Sequence, residues 1–220
     1  MGRCIMVLGT PRSGTSCVAG VLHHLGVNMG GGHFQPGDKN NVRGYYEDKR
    51  WQKINKDLAA NYQNGLYYDV IQPETLATTD AERYESLVAV CERQPIWGFK
   101  NVRSDFLAQF IWPYLEDVRL VVTERDPEHS ARSIKEHSRV SHAGRLYMTI
   151  EEARKLIAVY QVALAQRLKE FNGPVHTVNY RRLIATDKQA EVAALRDFCF
   201  AGLLENACKS LYERMDHYHE

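Results

Sequence analysis

A three-layer, doubly wound α/β fold on a parallel sheet is what this 220-residue chain predicts, and three features of the sequence carry the prediction. Apolar, strand-like runs alternate with amphipathic segments. One internal run is apolar almost throughout, as a strand buried on both faces requires. The first run passes through a glycine-bearing turn directly into a helical pattern. The length suits one domain with an ample core, and no repeat, low-complexity tract or linker divides it. We expect a single domain over residues 1–220 with a loop and helical insertion at about 27–93.

The first strand is Cys4-Ile5-Met6-Val7-Leu8, followed by Gly9-Thr10-Pro11-Arg12-Ser13-Gly14-Thr15-Ser16 and a helix to about Leu25. Small residues let this backbone curl, so that successive N–H groups and the helix N-terminus face an anion. The segment is therefore a P-loop-like phosphate-binding loop. Gly9 and Gly14 keep the P-loop spacing, but Thr15 stands where the NTPase form has lysine. That lysine normally reaches the β- and γ-phosphates, so a loop without it is poorly equipped to hydrolyse ATP. Basic charge sits instead at Arg12.

Residues 27–46 lack a sustained apolar period and are punctuated by Gly30-Gly31-Gly32, Pro36-Gly37-Asp38 and Asn40-Asn41, the mark of a long functional loop. A helix is expected from Glu47 into the low 60s through Trp51, Ile54 and Leu58. Another opens on a Thr79–Glu82 capping box and carries Leu87, Val88 and Val90 towards Cys91. Further strands are expected at Pro95–Lys100, Val118–Glu124 and Pro174–Asn179. Between the last two, a Thr149–Glu152 capping box begins a long helix whose Leu156, Ile157, Tyr160, Leu164, Leu168 and Phe171 recur at helical spacing, until Gly173-Pro174 stops it. Right-handed crossovers then place ligands outside the carboxyl ends of the strands, at Gly9, Lys100, Glu124 and Asn179.

Composition narrows the function. Lysine and arginine total 28 against 27 acidic residues, which gives no global basic field of the kind nucleic acid demands. Five scattered cysteines, none in a Cys-x-x-Cys pair, argue against a disulfide framework and a zinc site. No apolar stretch approaches membrane length, and the first run lacks a cleavage pattern. The expectation is a cytoplasmic protein that binds neither nucleic acid nor membrane.

A second marker follows the buried strand: Arg125-Asp126-Pro127, with Ser133 on the next helix. A guanidinium at the strand end and a hydroxyl eight residues on can converge on one phosphate, although an ordinary helix start with proline in its first turn has the same sequence. Together with the first loop, this pair resembles the sulfotransferases that use 3′-phosphoadenosine-5′-phosphosulfate (PAPS), over about residues 4–200. The resemblance implies that Pro11, Arg12, Ser13, Gly14, Thr15 and Ser16 hold the 5′-phosphosulfate, that Arg125 and Ser133 hold the 3′-phosphate, and that Tyr180 contacts adenine. It also implies sulfuryl transfer to a small-molecule or glycan hydroxyl, release of adenosine 3′,5′-bisphosphate, and no required metal. Cys17 stands where the cytosolic animal enzymes place an adenine-stacking tryptophan, and no Arg-Lys-Gly segment occurs near the C-terminus, two departures from that subgroup; the pattern resembles the bacterial and carbohydrate-type enzymes.

The transfer needs a base for the acceptor and positive charge for the leaving phosphate. Asn40-Asn41-Val42-Arg43-Gly44-Tyr45-Tyr46-Glu47 resembles bacterial sulfotransferases in which a glutamate is the base. Burial among rings would adapt Glu47 to that task, while a carboxylate favoured by a helix N-terminus is the alternative. His33, His137 and His142 are competing bases; His23 and His24 are weaker ones, at least one facing solvent. Arg12 suits the leaving group. Lys100, in a segment resembling the family's Lys-Asp-Pro-Arg with Asn101 and Val102 substituted, could bind sulfuryl or bridging oxygens, or be a surface lysine. Tyr45, Tyr46, Trp51, Tyr62, Tyr67 and Tyr68 either line an acceptor pocket or form the core of a helical cap. A P-loop small-molecule kinase and a non-catalytic nucleotide-binding protein are the alternatives. The C-terminal Met215–Glu220 reads as a frayed, solvated end despite its metal-capable side chains.

Overall fold

A computed structural model describes residues 2–34, 37, 41–62, 78–141 and 148–203, with backbone alone at 58–62, 78–81 and 139–141. Strand β1 (Arg3–Leu8) is buried along its whole length and sits inside a four-stranded parallel sheet of order β2-β1-β3-β4. The other strands are β2 (Ile96–Lys100), β3 (Asp117–Glu124) and β4 (Val175–Asn179). Val7 pairs with Lys100, Leu8 with Val122 and Glu124 with Asn179. All four carboxyl ends therefore share one edge, as expected of a doubly wound sheet. β3 is fully buried only over Leu120–Thr123, and β4, at the sheet edge, buries only Val178.

Alternation along β1 divides the core, because successive strand side chains point to opposite faces. Cys4, Met6 and Leu8 pack with α2 (Lys49–Tyr62), α3 (Thr78–Cys91) and the far half of α6 (Ile150–Glu170). Ile5 and Val7 pack on the other face with α1 (Thr15–His24) and with α7 (Tyr180–Leu183) and α8 (Gln189–Phe200). A third cluster joins the short α4 (Ser104–Leu107) and α5 (Pro127–Ser141) to the start of α6. Two 3₁₀ turns, Ala108–Phe110 and Trp112–Tyr114, lead from α4 to β3.

Local chemistry explains the ends of these helices. Gly26, at φ 98°, closes α1 with bonds from Gly26 N–H to His23 and from Val27 N–H to Leu22, a left-handed stop that glycine allows. The capping box at α6 forms as expected: Thr149 Oγ1 accepts from Glu152 N–H at 3.2 Å, and Glu152 Oε2 accepts from Thr149 N–H at 2.7 Å. α3 already includes Thr79, so that residue does not precede the helix; its side chain lies outside the described residues. Val90, expected on the apolar face of α3, is 45% exposed.

The predicted aromatic cluster divides. Trp51, 1% exposed, lies in the core, stacked on Phe99 at 4.4 Å and near-parallel to Trp97 and Tyr84. Tyr46 packs on α1 beside His23 and Phe34. The side chain of Tyr62, and Tyr67, Tyr68, His142 and Met215–Glu220, lie outside the described residues. No helix among those described is long and apolar enough to cross a membrane. Trp51→Ala empties the centre of the stack and is expected to lower unfolding free energy by about 3–5 kcal/mol in urea titration.

Candidate active site

The loop after β1 is built from backbone that few residues tolerate. Gly9 (φ 152°), Arg12 (64°) and Gly14 (103°) all have positive φ. A Cβ at Gly9 would lie 2.1 Å from Thr123 Oγ1, and one at Gly14 2.1 Å from Tyr180 Cδ2, so close approach requires glycine at both positions. Arg12 has no such freedom and is held at both ends: Arg125 donates to its carbonyl at 2.8 Å, and its own Nε donates to Ser133 Oγ at 3.1 Å. Thr15 and Ser16 then begin α1, whose first turn contains no acidic residue. Their N–H groups have no acceptor within the helix and face the cavity with the positive end of its dipole.

Ser13 turns its hydroxyl to the sheet and braces the loop. Its side chain is 1% exposed and bonded at 2.6 Å to Thr123 Oγ1 of β3, and its N–H donates to Thr10. Below the loop lies Asp105, which sequence reasoning missed; Oδ1 accepts from Gly9 N–H at 3.0 Å. Burial pushes this carboxyl up, to about 7, against the opposing effect of the Gly9 bond. An aspartate at the start of a helix reads as a cap, so nothing in the sequence distinguishes it.

Across the switch between β1 and β3, the Arg-Asp-Pro segment divides its labour. Asp126 caps α5, accepting from His129 N–H at 3.0 Å, and Pro127 occupies the first helical position. Arg125 does not pair with Asp126. Its guanidinium lies 4.9 Å from the centre of the Tyr180 ring while it donates to Arg12. One face of that ring therefore carries a cation, where the sequence reading expected adenine. Ser133 meets Arg12.

The insertion brings in the acidic group. The cap of α2 is Asp48 and not Glu47: Asp48 Oδ1 accepts from Arg50 N–H at 2.8 Å. Glu47 is 2% exposed and bonded to Lys100 Nζ at 2.5 Å, Gln52 Nε2 at 2.7 Å and Asn101 Nδ2 at 3.2 Å. Lys100 is buried, not a surface lysine, and also donates to Ser16 Oγ at 3.1 Å. Asn101 donates to Glu47 and accepts from Arg103 N–H at 3.0 Å, a pairing that an aspartate, without a donor, could not make.

One cavity collects these groups: Pro11, Arg12, Gly14, Thr15, Ser16 and Cys17 from the loop side, Arg125 and Tyr180 beyond, and Glu47, Lys100, Tyr45 and His137 opposite. Asn41 and Val102 complete its wall. Cys17 is exposed at the cavity, and the protein packed around its sulfur still removes enough water to raise the thiol above its ordinary range despite Arg43 and Lys188 nearby. His33 is exposed beside a separate cavity at the β2 edge. His24 faces solvent, and burial lowers His23, packed against Tyr46. Among the described residues no cluster of three His, Cys, Asp or Glu side chains is placed to hold a metal.

A family model described as "Sulfotransferase family" matches residues 4–203. The chain belongs to the sulfotransferase family. The crystal structure of sulfotransferase STF9 from Mycobacterium avium is similar over 100% of this chain and 69% of its own, with a TM-score of 0.56 at 14% identity. That of sulfotransferase STF1 from Mycobacterium tuberculosis H37Rv covers 97% of this chain and 72% of its own, with a TM-score of 0.48 at 15% identity. No curated protein matches. The first likeness supports the fold; membership of a sulfotransferase family distinguishes the chain from a P-loop kinase.

Asp105 gives this sulfotransferase a pH signature. An unfolded aspartate titrates near 4 and this one near 7, so between those values the folded state holds more protons and stability falls as pH rises. Asp105→Asn keeps an acceptor for Gly9 N–H but cannot ionise. Its unfolding free energy relative to wild type is expected to rise by roughly 1 kcal/mol per pH unit from about pH 4 to about 7, measured by urea denaturation of both proteins.

Proposed function

We propose that this sulfotransferase moves a sulfuryl group from PAPS to a hydroxyl of a small molecule or glycan by in-line displacement. The observation that carries the reading is the junction of three elements at one cavity: the loop with its helix N-terminus, Arg12 and Arg125 with Ser133 bonded to Arg12 behind them, and the buried Glu47–Lys100 pair. The first two offer separate anion sites, suited to a donor with a phosphosulfate at one end and a 3′-phosphate at the other. Pro11, Gly14, Thr15 and Ser16 shape the phosphosulfate end, while Arg125 and Ser133 serve the 3′-phosphate. Tyr180 seats Arg125 and leaves its hydroxyl for the base.

In the transfer, Glu47 accepts the acceptor's hydroxyl proton as its oxygen bonds to sulfur. The bond from sulfur to the bridging oxygen breaks, and the electron pair leaves on the phosphate of adenosine 3′,5′-bisphosphate. Arg12 neutralises that charge. Lys100, already shared between Glu47 and Ser16, serves the bridging oxygen in this scheme and couples the base to the donor. His137 lies in the same cavity and is the second candidate base. No metal takes part in this scheme. A cytoplasmic setting suits four cysteines that form no disulfide among the described residues.

Calorimetric titration tests the donor site. Adenosine 3′,5′-bisphosphate is expected to bind wild type tightly and Arg125→Ala at least tenfold more weakly, with AMP weak throughout; equal, weak binding of both nucleotides would remove the reading. Glu47→Gln is expected to retain adenosine 3′,5′-bisphosphate binding and to lose about 10²–10⁴-fold in transfer rate on an acceptor found by screening with PAPS. Full activity in that variant would assign the base elsewhere, with His137→Ala the next variant to assay.

A further inference from the structure

Asp105 has no part in the transfer just described, yet it is the acidic side chain bonded to the root of the donor loop. It is 1% exposed, Oδ1 accepts from Gly9 N–H at 3.0 Å, and Oδ2 is buried without a hydrogen-bond partner among the described residues. The elements around it direct their charge elsewhere. Lys100 at the end of β2 is engaged by Glu47 and Ser16, and Arg12 in the loop by Ser133. Arg3, at the opposite end of β1, pairs with Asp117. From β3, Thr123 bonds to Ser13. α6 packs Ala153, Leu156, Ile157 and the phenol Tyr160 into the cluster that holds α4. On its own segment, Arg103 immediately precedes α4.

A carboxylate in such a place lacks the partners that buried charge requires. The position becomes less tolerant of negative charge when the loop above it binds an anion. We propose that Asp105 is a positioning residue that must carry a proton while the loop holds the donor, so that donor binding and proton retention at Asp105 are one coupled event. The inference rests on the donor-site reading above. Neutral Asp105 still accepts from Gly9 N–H and fixes the loop's first residue, but places no charge behind the phosphosulfate. By linkage, whatever the donor does to the proton, the proton does equally to the donor. Since burial holds the group near 7, the coupling operates around neutral pH.

The test is calorimetry of adenosine 3′,5′-bisphosphate with wild type and Asp105→Asn, from about pH 5.5 to about 8.5, in pairs of buffers with different ionisation enthalpies. Titration of the nucleotide's own phosphates is common to both proteins and cancels. Wild type is expected to take up additional proton on binding above neutrality, and its affinity to fall by roughly tenfold relative to the variant across the alkaline half of the range. Identical pH profiles and proton uptake in the two proteins, with nucleotide binding intact, would overturn the coupling alone. Absence of nucleotide binding to wild type would remove the donor reading and the coupling with it. Should Asp105→Asn fail to fold, the infrared carboxylic-acid band of wild type gives the same answer: bound nucleotide should carry it to higher pH, and an unmoved midpoint overturns the proposal.

Discussion

The turn between β1 and α1 is the constraint on which the rest of this structure depends. Three of its six residues from Gly9 to Gly14 hold positive φ, and a non-glycine residue in that region costs about 1 kcal/mol or more. Such a backbone persists only when its surroundings determine it. The determining contacts come from strand β3 and from the two connections on either side of it: Asp105 after β2, Thr123 near the end of β3, and Arg125 and Ser133 beyond it. The order β2-β1-β3 makes those contacts possible, because it flanks the loop with the two strand ends that supply them. The sheet topology and the geometry of this loop are thus one structural fact.

The Glu47–Lys100 pair is the corresponding joint between the insertion and the sheet. Both side chains are at least 95% buried, and removing two charges from water costs several kcal/mol per ion, so an apolar pair of similar volume would serve stability as well. The pair's position gives it another use. Lys100 ends β2, reaches Ser16 on the loop side and Glu47 on the other, while Gln52 and Asn101 satisfy the second carboxylate oxygen. Asn101 matters here because an aspartate would set a second negative charge against Glu47 with no proton to share. The departure from Lys-Asp-Pro-Arg therefore fits this chain's own carboxylate.

What the sequence made legible was whatever repeats with a period or demands special backbone. All four strands, the helix from the capping box at Thr149, the loop at Gly9–Gly14 and the edge that gathers the strand ends were readable, because burial, caps and positive φ leave compositional marks. Ser13 and Asp105 were not readable for the converse reason. Whether a serine in a glycine-bearing loop turns to an anion or to the sheet beneath depends on Thr123, 110 residues away, and local pattern carries no information about that. Glu47 and Asp48 illustrate the same limit within two adjacent residues: either could cap α2, and only the fold assigns the cap to Asp48 and turns Glu47 towards Lys100. The aromatic residues of the insertion have equal hydrophobic value in the sequence and different neighbours in space, Trp51 in the core stack and Tyr45 at the cavity.

Tyr180 shows how one such assignment changes the chemistry of its surroundings. The sequence resemblance implies that it contacts adenine; in the fold its ring carries the Arg125 guanidinium and leaves no room for a side chain on Gly14. The missing Cβ at Gly14 therefore serves two ends: it permits φ 103° at the start of α1 and lets the ring approach closely enough to support Arg125. Arg125 in turn reaches the carbonyl of Arg12, the loop's non-glycine residue at positive φ. Tyr180 thereby acts on the loop through two contacts, one with Gly14 and one through Arg125, and neither uses its hydroxyl. A ring orders this cluster because it offers a cation both a flat face and, with only two side-chain torsions to fix, a small entropic cost of being held. The same reasoning separates it from Cys17, which lines the cavity too but presents no face on which a base or a cation could rest.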